Sequence, residues 1–145
     1  MATQGQLLDA WTACKMGRRH CYRLQEPCLR EFEYQGPPMG HPSNYAAVRF
    51  QCDPLDELAL EVVASWPANL SRSDCADLER AIAEAIVDAL MSQFAPYRGC
   101  RLTLVEIGWD DIASTEVAFY RATVEPMRRL MSRGKWALTD GIPNG

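Results

Sequence analysis

Two groups of residues in this 145-residue chain are of types that do chemistry: six cysteines with two histidines, and clustered carboxylates. Cys14, Cys21 and Cys28 recur every seven residues, with His20 beside the second. A zinc site wants ligands in close pairs, commonly about two to four residues between them, and no such cysteine pair exists, so no metal is expected. Cys21 with His20 fails as a nucleophile and base because neighbours on a strand point to opposite faces. Asp110, Asp111 and Glu116 could form a paired-carboxylate site, but adjacent acids ahead of a helix serve its positive N-terminal end. No Gly-x-x-x-x-Gly-Lys-Ser/Thr loop is present to cradle a nucleotide phosphate. The chain is therefore read as a non-enzyme that takes no cofactor and no nucleotide.

Binding chemistry is better supported. The net charge of −4 argues against bulk nucleic-acid affinity, but the charges are segregated. Acids dominate residues 52–91, whereas Lys15, Arg18, Arg19, Arg23 and Arg30 dominate one flank and Arg121, Arg128, Arg129, Arg133 and Lys135 the other. If the flanks meet in the fold, they make a basic face able to track phosphates. Tyr34, Tyr45, Tyr97 and Trp109 have faces on which bases stack, although scattered aromatics more often line a core or its rim.

These side chains need a frame, and the apolar periodicity supplies one. A short helix is predicted over residues 5–16, ended by Gly17. Phe32 and Tyr34 alternate with Glu31 and Glu33, as on a strand. The segment Gly36-Pro37-Pro38-Met39-Gly40-His41-Pro42-Ser43-Asn44 cannot continue a sheet ladder and reads as a loop. Ala46, Val48, Phe50 and Cys52 alternate next, giving a hairpin partner, and Asp53 to Asp56 is predicted as a turn. Leu58, Leu60, Val62, Ala64 and Trp66 predict a third strand. Ser71 or Ser73 then caps a helix with the stripe Leu78, Ile82, Ile86, Leu90. A fourth strand follows from Leu102 to Ile107, with both of its faces apolar, which predicts a central position. The second long helix carries Val117, Tyr120, Val124, Met127 and Met131 on its predicted buried stripe, with a bend expected near Thr123 because Pro126 lies inside. Lys135 to Thr139 adds a short strand.

The expected fold is α+β: a four-stranded, mostly antiparallel sheet with two long helices on one face. One domain is expected over 22–139, with an N-terminal extension over 1–21 and a frayed tail over 140–145. No apolar run approaches the roughly 20 residues of a membrane span. No signal-peptide pattern opens the chain, so a cytoplasmic location with reduced thiols is the expectation.

The order of these elements resembles domain IV of elongation factor G. Tyr22-Arg23, the loop up to Tyr45, the strand Ala46-Ala47-Val48-Arg49-Phe50 and the turn Asp53-Pro54-Leu55 match its first half. The break Trp66-Pro67, the helix to Leu90, the connection Ala95-Pro96-Tyr97, the strand to Ile107 and the helix start Ser114-Thr115-Glu116-Val117-Ala118-Phe119 match its second half. The resemblance covers roughly residues 22–139. It implies the ribosomal protein S5 domain 2-like fold, with a left-handed βαβ crossover against the usual rule. It also implies two tip loops, Gly36–Asn44 and Gly108–Ala113, of the kind that reach tRNA and mRNA in the decoding centre. This chain departs from the family where it usually has a tip histidine, which aligns with Asp110 or Trp109, and where it has an arginine among glycines, since His41 is the first tip's only ionisable cation. A carboxylate facing phosphate is repelled.

The expected function is that of a non-catalytic module binding the ribosome or structured RNA. Its contacts would be His41, Asn44, Trp109 and Asp110 at the tips, and Arg18, Arg19, Arg128, Arg129, Arg133 and Lys135 on the flanks. The alternative is a protein-interaction domain that has lost RNA contact. Neither reading involves a membrane.

Overall fold

The computed structural model describes residues 20–35, 45–111 and 113–139. The predicted N-terminal helix, the first tip loop, the tail, Arg18, Arg19, His41 and Asn44 lie outside them. In chain order the elements are β1 (Cys21–Leu24), β2 (Cys28–Gln35), β3 (Tyr45–Pro54), β4 (Ala59–Val62), α1 (Arg72–Leu90), β5 (Cys100–Gly108), α2 (Glu116–Arg133) and β6 (Trp136–Thr139).

The main sheet has the order β2-β3-β5-β4. The β2–β3 and β3–β5 pairs are antiparallel, and β4 joins β5 in parallel through α1. Alternation along the strands divides the sheet into two faces. One face carries Val48, Phe50, Cys52, Leu60, Leu102 and Leu104, all buried. It shares a single core with Leu78, Ile82, Ile86 and Leu90 of α1 and with Ala118, Phe119, Ala122, Met127 and Leu130 of α2. Both helices therefore cover this face, α2 lying over β2 and β3. Full burial of a Leu, Ile or Phe side chain stabilises by about 1.5–3 kcal/mol, so this layer contact is what orders the sheet. The other face is open and charged: Arg49 bridges Glu31 on β2 (2.7 Å) and Glu106 on β5 (3.0 Å).

The fourth predicted strand is central, but not because both its faces are buried. The register between β3 and β5 shifts at Arg49/Phe50: Phe50 faces Leu104, whereas Arg49 faces Glu106 and Val48 faces Ile107. Val105 is the extra residue of this bulge and is 37% exposed. The bulge inverts the alternation, so Ile107 joins the same core as Leu102 and Leu104 and Glu106 turns to the open face.

Three other expectations are corrected. Asp53 and Pro54 continue β3 instead of forming a turn, because Pro54 pairs with Cys100 at the sheet's end. The third strand stops at Val62: the Leu104 carbonyl accepts from both Val63 and Ala64 N–H (3.0 Å each), which ends the ladder, and the Trp66 indole N–H turns to Glu79 on α1 (3.0 Å). The buried stripe of α2 is Ala118, Phe119, Ala122, Thr123, Pro126, Met127 and Leu130, and Val117 is exposed. The small alanines and Phe119 face the sheet, rotating the helix away from the predicted Val117–Tyr120 stripe. Pro126 is accommodated within an α-helix that runs from Glu116 to Arg133.

The sequence offers no partner for an extended segment at Cys21–Leu24, yet β1 pairs antiparallel with β6 as a second small sheet. It is held by Tyr22 stacked on Tyr97 (4.6 Å between ring centres) and Tyr97 edge-on to Trp136 (4.8 Å). Gly99 is required here: a Cβ would come within 2.6 Å of the Arg23 backbone, where the two segments exchange Leu24 N–H to Gly99 O and Gly99 N–H to Tyr22 O at 2.9 Å. Among the described residues no helix is long and apolar enough to cross a membrane.

Candidate nucleic-acid interface

The antiparallel pairings bring the residues that flank the two tip segments to one end of the sheet. Gln35 and Tyr45, which flank the first, are register partners, and Ala47 faces Gly108, where β5 enters the second. Tyr45 N–H donates to Ala113 O (3.0 Å), and the Ser114 hydroxyl donates to Tyr45 O (2.8 Å). Gly108 leaves room for this approach, since a Cβ there would lie 2.7 Å from the Tyr45 hydroxyl and 2.8 Å from Ala47 Cβ. The turn itself is self-capped. Asp110 N–H donates to Ser114 Oγ and Asp110 Oδ1 accepts from Ala113 N–H, both at 2.9 Å, and Thr115 caps α2 by accepting from Ala118 N–H (3.1 Å).

Trp109 is not a free stacking platform. Its ring lies parallel to Phe119 (6.0 Å) and edge-on to Trp66 (6.4 Å), and its indole N–H donates to Asp111 (2.8 Å). The surroundings of Tyr45 are acidic: burial first, then Glu33 and Asp110, raise its phenol above the ordinary value. An open cleft of about 650 Å³ over this end is lined by Glu31, Glu33, Glu106, Arg49, Gly108 and Arg129, among others. Its central cation, Arg49, lies between two carboxylates that outnumber it. An anion entering this cleft would meet carboxylates on either side.

Positive charge gathers along the line where α2 crosses the edge strand β2, which borders the cleft at Arg129. Arg121 donates to the Tyr34 hydroxyl (2.8 Å) with its guanidinium 5.9 Å from that ring, and Arg129 sits 5.3 Å over Phe32. Arg30 shares the face of Phe32 and Tyr34 on β2, one pleat beyond Phe32. The two Arg–aromatic pairs fix the relative direction of helix and strand, which carries exposed Arg133, one turn past Arg129, towards Arg30. Glu125 is the acid in this row, paired with Arg128 (4.0 Å) and Arg129 (3.5 Å). Arg121, Arg128 and Arg133 are all exposed. Exposed ion pairs of this kind are worth about 0–1 kcal/mol, so Glu125 does not tie these arginines up.

Of the predicted site residues, Arg128, Arg129 and Arg133 share this surface. Lys135 lies just past α2, pairing with Glu26 (3.3 Å) beside β1, while Trp109 and Asp110 belong to the tip. Sequence reasoning missed the pairing of Arg121 with Tyr34 and of Arg129 with Phe32. The signal was present as the two-residue period of Arg30, Phe32 and Tyr34 and the eight-residue spacing of Arg121 and Arg129. Joining them required knowing that α2 crosses β2. Among the described residues no group of three or more His, Cys, Asp or Glu side chains is placed to hold a metal ion.

No protein-family profile matches the sequence, and no curated protein does. Among solved structures, the chain is similar to a protein of Thermus thermophilus, with a TM-score of 0.68 at 18% identity. The match covers 82% of this chain and 18% of that one, so the chain spans only a small part of the longer protein. At that identity the likeness is one of fold.

Proposed function

We propose that the chain is a non-catalytic RNA-binding module, contacting phosphates through the arginine row of α2 beside β2 and working in translation as a tip domain similar to domain IV of elongation factor G. The observation that carries the reading is the segregation of charge. Arg30, Arg121, Arg128, Arg129 and Arg133 line one surface against Glu125, within a chain of net charge −4. Such a surface binds anions despite the overall sign, because at physiological salt charges act over about 8 Å and the arginines of the row outnumber Glu125. The adjacent flanks of the two tip segments and the ordered resemblance support an S5 domain 2-like fold. Arginine over an aromatic ring also presents a flat cation, on which a base or a phosphate docks.

The test is co-sedimentation with ribosomes and with structured RNA across salt. About four phosphate contacts predict binding that weakens with a log–log slope of roughly −3 to −4 between about 50 and 200 mM salt. The second reading, a protein-binding domain, is favoured by the carboxylates Glu33, Asp110 and Asp111 at the tip end. Absent binding, or binding insensitive to salt, would overturn the RNA reading in favour of that one.

A further inference from the structure

Independently of any RNA contact, the β2–β3 ladder places two thiols face to face. Cys28 is the register partner of Cys52. Both lie on the core side, Cys52 wholly buried and Cys28 half-buried. Directly opposed residues of an antiparallel pair have Cα atoms about 4.5–5.5 Å apart, inside the roughly 4.4–6.8 Å window of a disulfide. The two thiols face each other on one ladder and are near enough for the charge of one to bear on the other. Burial pushes the Cys52 thiol up, and Arg30, one pleat from Cys28 on the same face, only partly offsets this; the Arg30 Nε is buried without a hydrogen-bond partner among the described residues. Cys100 is a third thiol within electrostatic reach, but it stands opposite Pro54 and not opposite either cysteine.

We propose that Cys28 and Cys52 are a reversible oxidation site, closing a cross-strand disulfide that staples the edge strand β2 to β3 when the protein meets a peroxide. Cys28, the partly exposed thiol, is the point of entry. Its sulfur attacks one peroxide oxygen, the O–O bond breaks, and with proton transfer one water leaves, giving a sulfenic acid at Cys28. The Cys52 sulfur then attacks the Cys28 sulfur, an S–S bond forms, the S–O bond breaks and a second water leaves. Two thiols lose two electrons and two protons, and hydrogen peroxide is reduced to two waters. Burial holds Cys52 and Cys100 well above the ordinary thiol range, so neither reacts first with peroxide. The strand carrying Phe32 and Tyr34 is then held covalently.

The test treats the reduced full-length chain with hydrogen peroxide, blocks free thiols with an alkylating reagent, and maps peptides without reduction. The expected result is a Cys28–Cys52 cross-link that dithiothreitol reverses, with a rise of several degrees in Tm. C28S and C52S should each abolish it, and C100S should leave it intact. Should C52S fail to fold, the wild-type chain oxidised in urea decides the matter. Loss of the preference for Cys28–Cys52 there supports the proposal, and its persistence overturns it. A Cys28 that stays alkylatable, proceeds to sulfinic acid, or links chiefly to another cysteine also overturns it.

Discussion

Ser114 donates its hydroxyl to the backbone carbonyl of Tyr45 at 2.8 Å, across 69 residues of sequence. Through the same oxygen it accepts from Asp110 N–H. One side chain thereby closes the second tip turn and ties it to the start of β3, beside the residues that bound the first tip. Ser114→Ala leaves the Asp110 N–H and the Tyr45 carbonyl to find water, and should cost about 1–2 kcal/mol in urea unfolding. Amide hydrogen exchange checks the mechanism: protection at Asp110 and Tyr45 should fall, with α1 unchanged. Loss of protection throughout the core would refute a local tether.

Trp109 distinguishes a tip built for stacking on bases from one built for packing. Its ring meets Phe119 and Trp66, which also meet each other at 5.2 Å. Trp109→Ala should therefore destabilise by about 2 kcal/mol, since half-buried aromatic area and its ring pairs are lost. An unchanged Tm together with weakened RNA binding would mean that the ring faces a ligand instead.

Much of this frame was legible from periodicity. Alternation at Phe32 and Tyr34 and at Ala46, Val48, Phe50 and Cys52 yields the hairpin, and the four-residue recurrence from Leu78 to Leu90 yields α1. What failed did so where one residue breaks a period or where distant segments decide. Val105 inverts a strand's faces without any composition signal. Cys21–Leu24 is a strand only because Trp136–Thr139 and Gly99 return to it. Arg128, Arg129 and Arg133 of the predicted contact set gained their meaning from β2, a strand far removed from them in the sequence.

Charge reversal separates the arginine row from the tip. Arg133→Glu and Arg128→Glu are exposed changes and should leave stability within about 0.5 kcal/mol. Each should weaken RNA or ribosome binding several-fold and flatten the salt slope by about 1. Asp111→Asn at the tip should have no such effect on the slope. Equal effects from both surfaces would show that the protein responds to net charge and not to the row.

Two tyrosines give the stability an alkaline limb. Tyr45 is raised by burial and then by Glu33 and Asp110, and Tyr120 by its 2.5 Å hydrogen bond to Asp88, then by burial and the charges of Asp88 and Glu84. Both phenols hold their protons more tightly folded than unfolded. Their contribution is therefore complete below the ordinary tyrosine value of about 10 and is lost as pH rises through the raised folded values. Urea unfolding between about pH 8 and pH 11 should show stability falling at the upper end, and Tyr120→Phe should make that fall shallower. A limb identical in Tyr120→Phe and wild type would remove the Asp88 hydrogen bond as its source.

The bulge makes the sharpest test of the architecture. Val105 is substantially exposed, so Val105→Thr removes little buried area and should cost under about 1 kcal/mol. Deleting Val105 is a different operation. Val105 is the residue of β5 that has no partner in β3, so its removal leaves Leu104 opposite Phe50, Glu106 opposite Arg49 and Ile107 opposite Val48 in a regular ladder, each side chain on its present face. What is lost is the added local twist and bend of the bulge. The deletion should therefore fold, at a cost of about 1–2 kcal/mol in urea unfolding, and keep amide protection at Tyr45. A deletion variant that unfolds, or that loses protection at Tyr45, would mean that the twist of the bulge, and not the pairing around the Glu31–Arg49–Glu106 triad, sets where the tip meets β3.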